Sequence, residues 1–324
     1  MNRFFHLQNV RFIRVLRTRN RIVRSNTWFI QSLLERINES WSHGVVHAAC
    51  PEFFLRYTCA DLKTSLFKPY LATQAELVPK FLTALPVYNE VSHVSAVLDE
   101  VLHFTPHVLA VDDGSTDGTA DLLAKRRDIR LVRHETNRGY GAALATAFAT
   151  TLAGDWDGLV TIDCDGQHQP RLIPALIAAA IPDPHRVQST ATIVSGSRYL
   201  KHFEGDNQPP ESRRRINAEI TAEINARLSL RLTDAFCGFK AYTRSAIELL
   251  HINETGYAMP LEVWVQAAAA GVHILELPVP LVYLDLARSF GGALDDAATR
   301  LAYYRCVLDR AEMAVGAAAH AAAR

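Results

Sequence analysis

The chain has 324 residues, 49% of them hydrophobic and 21% charged, which is enough apolar material for one large domain or two ordinary ones. Lysine plus arginine equals aspartate plus glutamate at 34 each, which excludes a global field favouring nucleic acid, and no stretch reaches the ~20 consecutive apolar residues of a membrane-spanning helix. Five cysteines, Cys50, Cys59, Cys164, Cys237 and Cys306, are scattered without metal-ligand spacing and read as free thiols in a reducing, cytoplasmic compartment.

The N-terminal region, residues 1–79, differs in composition from the rest. Residues 3–24 hold seven arginines and no acid, interleaved with Phe4, Phe5, Phe12, Ile13, Val15 and Leu16. On a helical wheel most of the arginines share one side, the pattern of a basic helix lying on a membrane surface; a disordered basic tail has the same composition. There is no long apolar run of a secretory signal. Residues 25–79 read as partly helical, with no purpose assigned.

Beyond Pro79 the pattern alternates between strand and helix, as in an α/β domain with a mostly parallel central sheet and helices on both faces. Phe81 to Leu85 reads as a strand running into Pro86-Val87-Tyr88-Asn89-Glu90, and residues 91–104 carry apolar residues at helical spacing. His107 to Val111 reads as a second strand, 117–126 as a short helix, and Ile129 to Val132 as a third strand. Residues 139–152 form an Ala-rich helix, Leu159 to Ile162 a strand, 170–181 a helix, and Thr192 to Ser195 another strand. A polar segment from Leu200 to Pro210 precedes a helix beginning near Ser212, and further helices are expected over 260–270 and 297–324. Right-handed crossovers would bring the strand ends to one side of the sheet.

Those strand ends carry the candidate chemistry. Asp163 and Asp165, separated by Cys164, close one strand, and Asp112-Asp113-Gly114-Ser115 closes another. Paired hard oxygen ligands at the C-terminal edge of an open α/β sheet suit a divalent cation that keeps positions for phosphate oxygens, although a solvated turn uses the same residue types. Two competing motifs fail on counting. A calcium loop starting at Asp113 would have Ala124 where a bidentate Glu is required, and a dinucleotide fingerprint starting at Gly139 would have Leu144 at its third glycine.

Five segments, Pro86-Val87-Tyr88-Asn89-Glu90, Val111-Asp112-Asp113-Gly114-Ser115-Thr116-Asp117-Gly118-Thr119, Asn137-Arg138-Gly139-Tyr140-Gly141-Ala142-Ala143, Asp163-Cys164-Asp165-Gly166-Gln167-His168 and Gly196-Ser197-Arg198-Tyr199, together with the weaker Asp234-Ala235-Phe236-Cys237-Gly238-Phe239-Lys240-Ala241-Tyr242, stand in the order seen in the family 2 glycosyltransferases. The chain resembles in particular the branch that includes dolichol-phosphate mannosyltransferase and similar polyprenyl-phosphate sugar transferases, over residues 80–292. The resemblance implies a GT-A fold; residues 293–324, outside it, read from their Ala-rich composition as a C-terminal helix. It also implies a nucleotide-sugar donor of the GDP-mannose or UDP-glucose type, Mg²⁺ or Mn²⁺ as cofactor, and inverting transfer of a hexose to a polyprenyl phosphate at the cytoplasmic membrane face.

By the same resemblance, Asp163, Asp165 and Gln167 hold the cation. Pro86, Tyr88, Glu90, Val111 and Asp113 form the nucleoside pocket, with Asp113 bonded to the base, and Cys164 lies between the two metal-binding aspartates. Arg198 contacts the donor diphosphate, Arg213-Arg214-Arg215 sits beside the acceptor, and Arg288 binds phosphate after the last strand. Tyr88 reads equally as a core aromatic. Glu262 is the acid nominated as a base for a hydroxyl acceptor, or else a structural partner for an arginine; Asp165 and Arg198 complete the catalytic set. The chain departs from the branch at Phe290, where a lysine is usual, so one phosphate-binding cation is missing. A soluble hydroxyl acceptor and a non-catalytic nucleotide-sugar binding protein are the alternatives.

Overall fold

The computed structural model describes residues 79–181, 191–284 and 292–322; the basic segment 1–24 and Arg288 lie outside them. The chain alternates β1 (Phe81–Val87), α1 (Val94–Leu102), β2 (Val108–Asp112), α2 (Thr119–Lys125), β3 (Arg130–Arg133), α3 (Tyr140–Ala153) and β4 (Gly158–Thr161). It continues with a 3₁₀ turn (Pro170–Leu172), α4 (Ile173–Ala180), β5 (Thr192–Ser197), α5 (Glu211–Leu228), β6 (Lys240–Thr243), α6 (Arg244–Ile247), α7 (Met259–Ala269) and β7 (His273–Pro278). A second 3₁₀ turn (Gly292–Asp295) leads into the long α8 (Ala297–Ala322).

The strands form one sheet in the order β3-β2-β1-β4-β6-β5-β7. β1, an interior strand, alternates its side chains between two cores: Leu82 and Ala84 face one, and Phe81, Leu85 and Val87 the other. The first core is closed by α3, α5, α7 and α8 through residues such as Phe148, Ile220, Trp264 and Leu308, and the second by α1 and α4 through Leu98 and Leu176. A strand buried on both faces needs the near-continuous apolar run that β1 and β2 possess. β3 begins and ends on exposed arginines, as an edge strand can.

β2 and β4 flank β1 on opposite sides, and both pair with it in parallel. The direction of sheet growth therefore reverses at β1, and a crevice opens at the C-terminal ends of β1 and β4, the place where open α/β sheets bind ligands. The paired aspartates follow β4 directly.

One element corrects the expectation that every strand end reaches the same side. β6 runs antiparallel to both of its neighbours, β4 and β5. Its four residues are too few to show a period of two, and one of them is a buried lysine.

α8 buries Arg300, Tyr304, Val307, Leu308 and Ala311, a single stripe at helical spacing. Ion pairs from Arg227 to Asp309 and Glu312, and from Arg305 to Glu219 and Glu223, fasten it to α5. Among the described residues no helix is long and apolar enough to cross a membrane.

Candidate active site

The first wall of the crevice is built by two laced loops. Asn89 takes a left-handed conformation (φ 54°), which asparagine tolerates, and this turns the chain sharply after β1. Its backbone N–H donates to Ser115 Oγ at 2.9 Å, Thr116 N–H donates back to Asn89 Oδ1 at 2.8 Å, and Glu90 N–H donates to Thr119 Oγ1 at 2.9 Å. The ends of β1 and β2 are thereby locked to each other, leaving Tyr88, at 42% exposure, on the rim. That exposure removes the core-aromatic reading of Tyr88.

Asp113 is an anchor. Its carboxylate accepts from Arg138 N–H at 3.0 Å, from Gly139 N–H at 2.7 Å and from His134 Nδ1 at 2.6 Å. Because an ionised carboxylate only accepts, the His134 proton sits on Nδ1. The neighbouring Gly114 (φ +75°) lets this turn approach the backbone of Thr136 and Asn137; a Cβ there would lie 2.5 Å from Thr136 C. The carboxylate expected to bond a nucleoside base thus holds the 134–139 loop that enters α3, while still bordering the cavity.

The second wall follows β4. Tyr140, first residue of α3, donates its phenol to Asp163 Oδ1 at 3.0 Å, and Asp163 Oδ2 lies 3.8 Å from His168 Nδ1. Burial foremost, and then the Asp163 charge, hold the Tyr140 phenol well above its ordinary pKa, so it stays a donor. Asp165 Oδ1 accepts from Gln167 N–H at 3.0 Å, which folds the 165–167 turn back towards the strand. His168 stacks on Phe239 and places Nε2 3.9 Å from Cys237 Sγ. Burial disfavours its charged form, but Cys237 and the two aspartates outweigh that and raise its pKa to about 9.

The third wall is basic. Arg198, just past β5, forms a two-pronged ion pair with the fully buried Asp234, Nε to Oδ2 at 2.7 Å and Nη2 to Oδ1 at 2.9 Å. Asp234 also accepts from Asn217 Nδ2 and Phe236 N–H. Desolvation opposes its ionisation, yet Arg198 and these donors hold its pKa far below the carboxylate range. Within the run Arg213-Arg214-Arg215, only Arg213 turns inward, since it shares a face of α5 with the buried Ile216, Asn217 and Ile220. Arg214 instead pairs with Glu211 in solvent.

These walls enclose a cavity of about 590 Å³. Of the residues singled out from the sequence, Pro86, Tyr88, Glu90, Asp113, Asp163, Cys164, Asp165, Gln167, Arg198 and Arg213 line it. Val111 does not: it is fully buried in the core beneath. Glu262 also lies apart, because its carboxylate accepts from the backbone N–H of Asn253 at 2.9 Å and of Glu254 at 2.8 Å, and so fastens that turn to the start of α7 instead of facing the cavity as a base would. Sequence reasoning missed Tyr140, Tyr257, Arg300 and Tyr304 as lining residues. The last two stand four apart on one face of α8, a periodicity that could have paired them.

Residues 83–250 match the family model described as glycosyl transferase family 2. An undecaprenyl-phosphate mannosyltransferase of Micrococcus luteus is 32% identical over 229 residues, 67% of this chain and 90% of that protein. A polyprenol monophosphomannose synthase of Mycolicibacterium smegmatis is 31% identical over 246 residues, 71% of this chain and 89% of that protein. Among solved structures, glucosyl-3-phosphoglycerate synthase from Mycobacterium tuberculosis, crystallised with Mg²⁺ and uridine diphosphate, superposes with a TM-score of 0.55 at 18% identity, covering 79% of this chain and 83% of that one. That likeness identifies the sheet as a GT-A-type fold. With the family model spanning more than half of its length, the chain belongs to the family 2 glycosyltransferases, in the branch of the polyprenyl-phosphate sugar transferases.

Proposed function

We propose that this protein transfers a hexose from a nucleoside-diphosphate sugar to the phosphate of a polyprenyl acceptor, with Mg²⁺ or Mn²⁺ held by Asp163, Asp165 and Gln167. The observation that carries the reading is the division of one cavity into an acidic wall after β1, β2 and β4 and a basic wall after β5 and on α5. The residues fit a divalent cation: two partly exposed carboxylates and an amide side chain, all hard donors, border the same space. When bound, the cation would neutralise the departing diphosphate.

The remaining chemistry falls to the chain's own groups. A phosphate oxygen of the acceptor attacks the anomeric carbon opposite the leaving group. The new C–O bond forms as the bond to the β-phosphate oxygen breaks, that oxygen keeps the electron pair, and the configuration inverts. An anionic nucleophile needs positioning rather than deprotonation. This agrees with Glu262 being bonded to the 253–254 backbone. The Arg198–Asp234 pair sets a guanidinium at the wall in a fixed orientation, and Tyr140 orients Asp163. Tyr88 and Glu90 border the end assigned to the nucleoside.

The test is sugar transfer from GDP-mannose and UDP-glucose to a short polyprenyl phosphate, comparing the wild type with Asp163→Asn and Asp165→Asn. Each variant should lose about a hundredfold or more of the rate, since several kcal/mol of leaving-group stabilisation goes with the cation. Full activity in either would reject the metal assignment, and transfer to a soluble alcohol instead of the phosphate would reject the acceptor. The basic pattern of residues 1–24 supports a peripheral attachment to the inner membrane face. Binding to anionic vesicles should then weaken with salt and with deletion of that segment.

A further inference from the structure

Resting on that reading, we propose that Arg300 of α8 is an acceptor-phosphate residue that acts with Arg213 of α5, so that the C-terminal helix completes the substrate site. Arg300 is 3% exposed and borders the cavity, and so do Arg213 and Tyr304. All three residues line the same cavity, and burial raises the Tyr304 phenol's pKa to about 12 against the opposing positive charges of Arg300 and Arg213. Arg300 Nη1 donates to the carbonyl oxygens of Leu294 and Asp295, which fixes one edge of the planar fork at the N-terminal end of α8.

The charge distribution says what this corner takes. Along the sheet, the acidic lining residues Glu90, Asp113, Asp163 and Asp165 follow β1, β2 and β4, whereas Arg198 follows β5 on the other flank. Arg213 and Arg300 also line the cavity, and the helices that carry them are fastened to each other by the Arg305–Glu219 ion pair. A planar guanidinium makes paired hydrogen bonds with phosphate oxygens, and two from separate helices suit a monoester dianion better than a neutral hydroxyl.

The experiment measures binding of farnesyl phosphate to the full-length protein by calorimetry, for wild type, Arg300→Gln, Arg300→Lys and Arg213→Gln. UDP and GDP binding in the presence of Mn²⁺ and the unfolding temperature are recorded for each. Loss of a charge-assisted bond should weaken farnesyl phosphate about tenfold or more in Arg300→Gln, less in Arg300→Lys, and leave the Kd of the nucleotide within about twofold. Inorganic phosphate as competitor separates the two sources of the same chemistry: displacement at equal concentration would assign the corner to free phosphate, and weak displacement to a prenyl ester. Equal farnesyl phosphate affinity in wild type and Arg300→Gln would overturn the inference while leaving the polyprenyl-phosphate acceptor intact. No binding to the wild type would overturn both. Should Arg300→Gln fail to fold, unchanged affinity in Arg213→Gln would equally remove the two-arginine site.

Discussion

Gly238 backs directly onto the Asp163 carboxylate: a Cβ added to it would lie 2.4 Å from Oδ2 and 2.5 Å from Oδ1. The two residues come from segments paired across the sheet, because Thr161 at the end of β4 donates its hydroxyl to Gly238 O at 2.7 Å just before β6 begins. Tyr140 donates its phenol to the same carboxylate. The position of Asp163 is therefore set by its neighbours, not left to its own rotamers.

Gly238→Ala should separate stability from function. The clashing atoms end a short side chain, so Asp163 can swing away at an overpacking cost of about 1–3 kcal/mol, and the protein should still fold. Metal-dependent stabilisation by UDP or GDP should fall sharply, measured as the shift in unfolding temperature with and without Mn²⁺. A variant that folds normally and keeps the full shift would show that Asp163 is not a ligand in this geometry.

The Arg198–Asp234 pair predicts an acid-sensitive contribution to stability. Asp234 is fully buried and its pKa is depressed below the ordinary 3.8, so between the unfolded and folded values the unfolded chain binds the extra proton. The contribution is complete above about pH 4 and is lost as the pH falls through the folded value, at about 1.4 kcal/mol per pH unit for one proton. Asp234→Asn leaves Arg198 without its counter-charge and should cost about 3–5 kcal/mol at neutral pH. Urea denaturation at a series of pH values should show a shallower loss below pH 4 in the variant than in the wild type. An unchanged slope would place the acid sensitivity elsewhere.

What could be read from the sequence and what could not divide along a physical line. Strands β1, β2 and β4 were legible because apolar runs end on polar clusters, and such an ending marks a sheet edge wherever the strand sits. The antiparallel β6 was not, since four residues with a lysine carry no period, and Lys240 is accommodated by donating to Cys237 O and lying over the Trp264 ring. The acids themselves were visible, but their partners were not. Asp113 and Glu262 are both taken up by backbone N–H groups more distant than any local pattern reports for Asp113, and by a turn eight or nine residues away for Glu262. Arg300 lay beyond the segments of family resemblance, so only tertiary packing could bring it to the cavity.

A last prediction concerns how α8 braces the site from behind. Glu254, 7% exposed, accepts from Gly256 N–H at 2.8 Å, from the Tyr303 phenol and from Arg310. The loop it holds rests on the start of α3, where Ala142 N–H donates to Thr255 O at 3.1 Å and a Cβ on Gly141 would lie 2.2 Å from Glu254 O. Tyr257 in that loop stacks on Tyr140 with centroids 5.8 Å apart, and Tyr140 in turn bonds Asp163. Contacts thus run unbroken from the C-terminal helix to the candidate metal ligand. Glu254→Gln keeps the volume but loses the charge that Tyr303 and Arg310 share, and should cost about 1.5–3 kcal/mol, whereas Tyr303→Phe should cost about 1 kcal/mol. The two losses should fall short of additive in the double variant, because they remove one shared interaction. Hydrogen exchange should show faster opening in 253–258 and at the start of α3 in Glu254→Gln; exchange that speeds up in α8 alone would mean that the helix is docked without bracing the site.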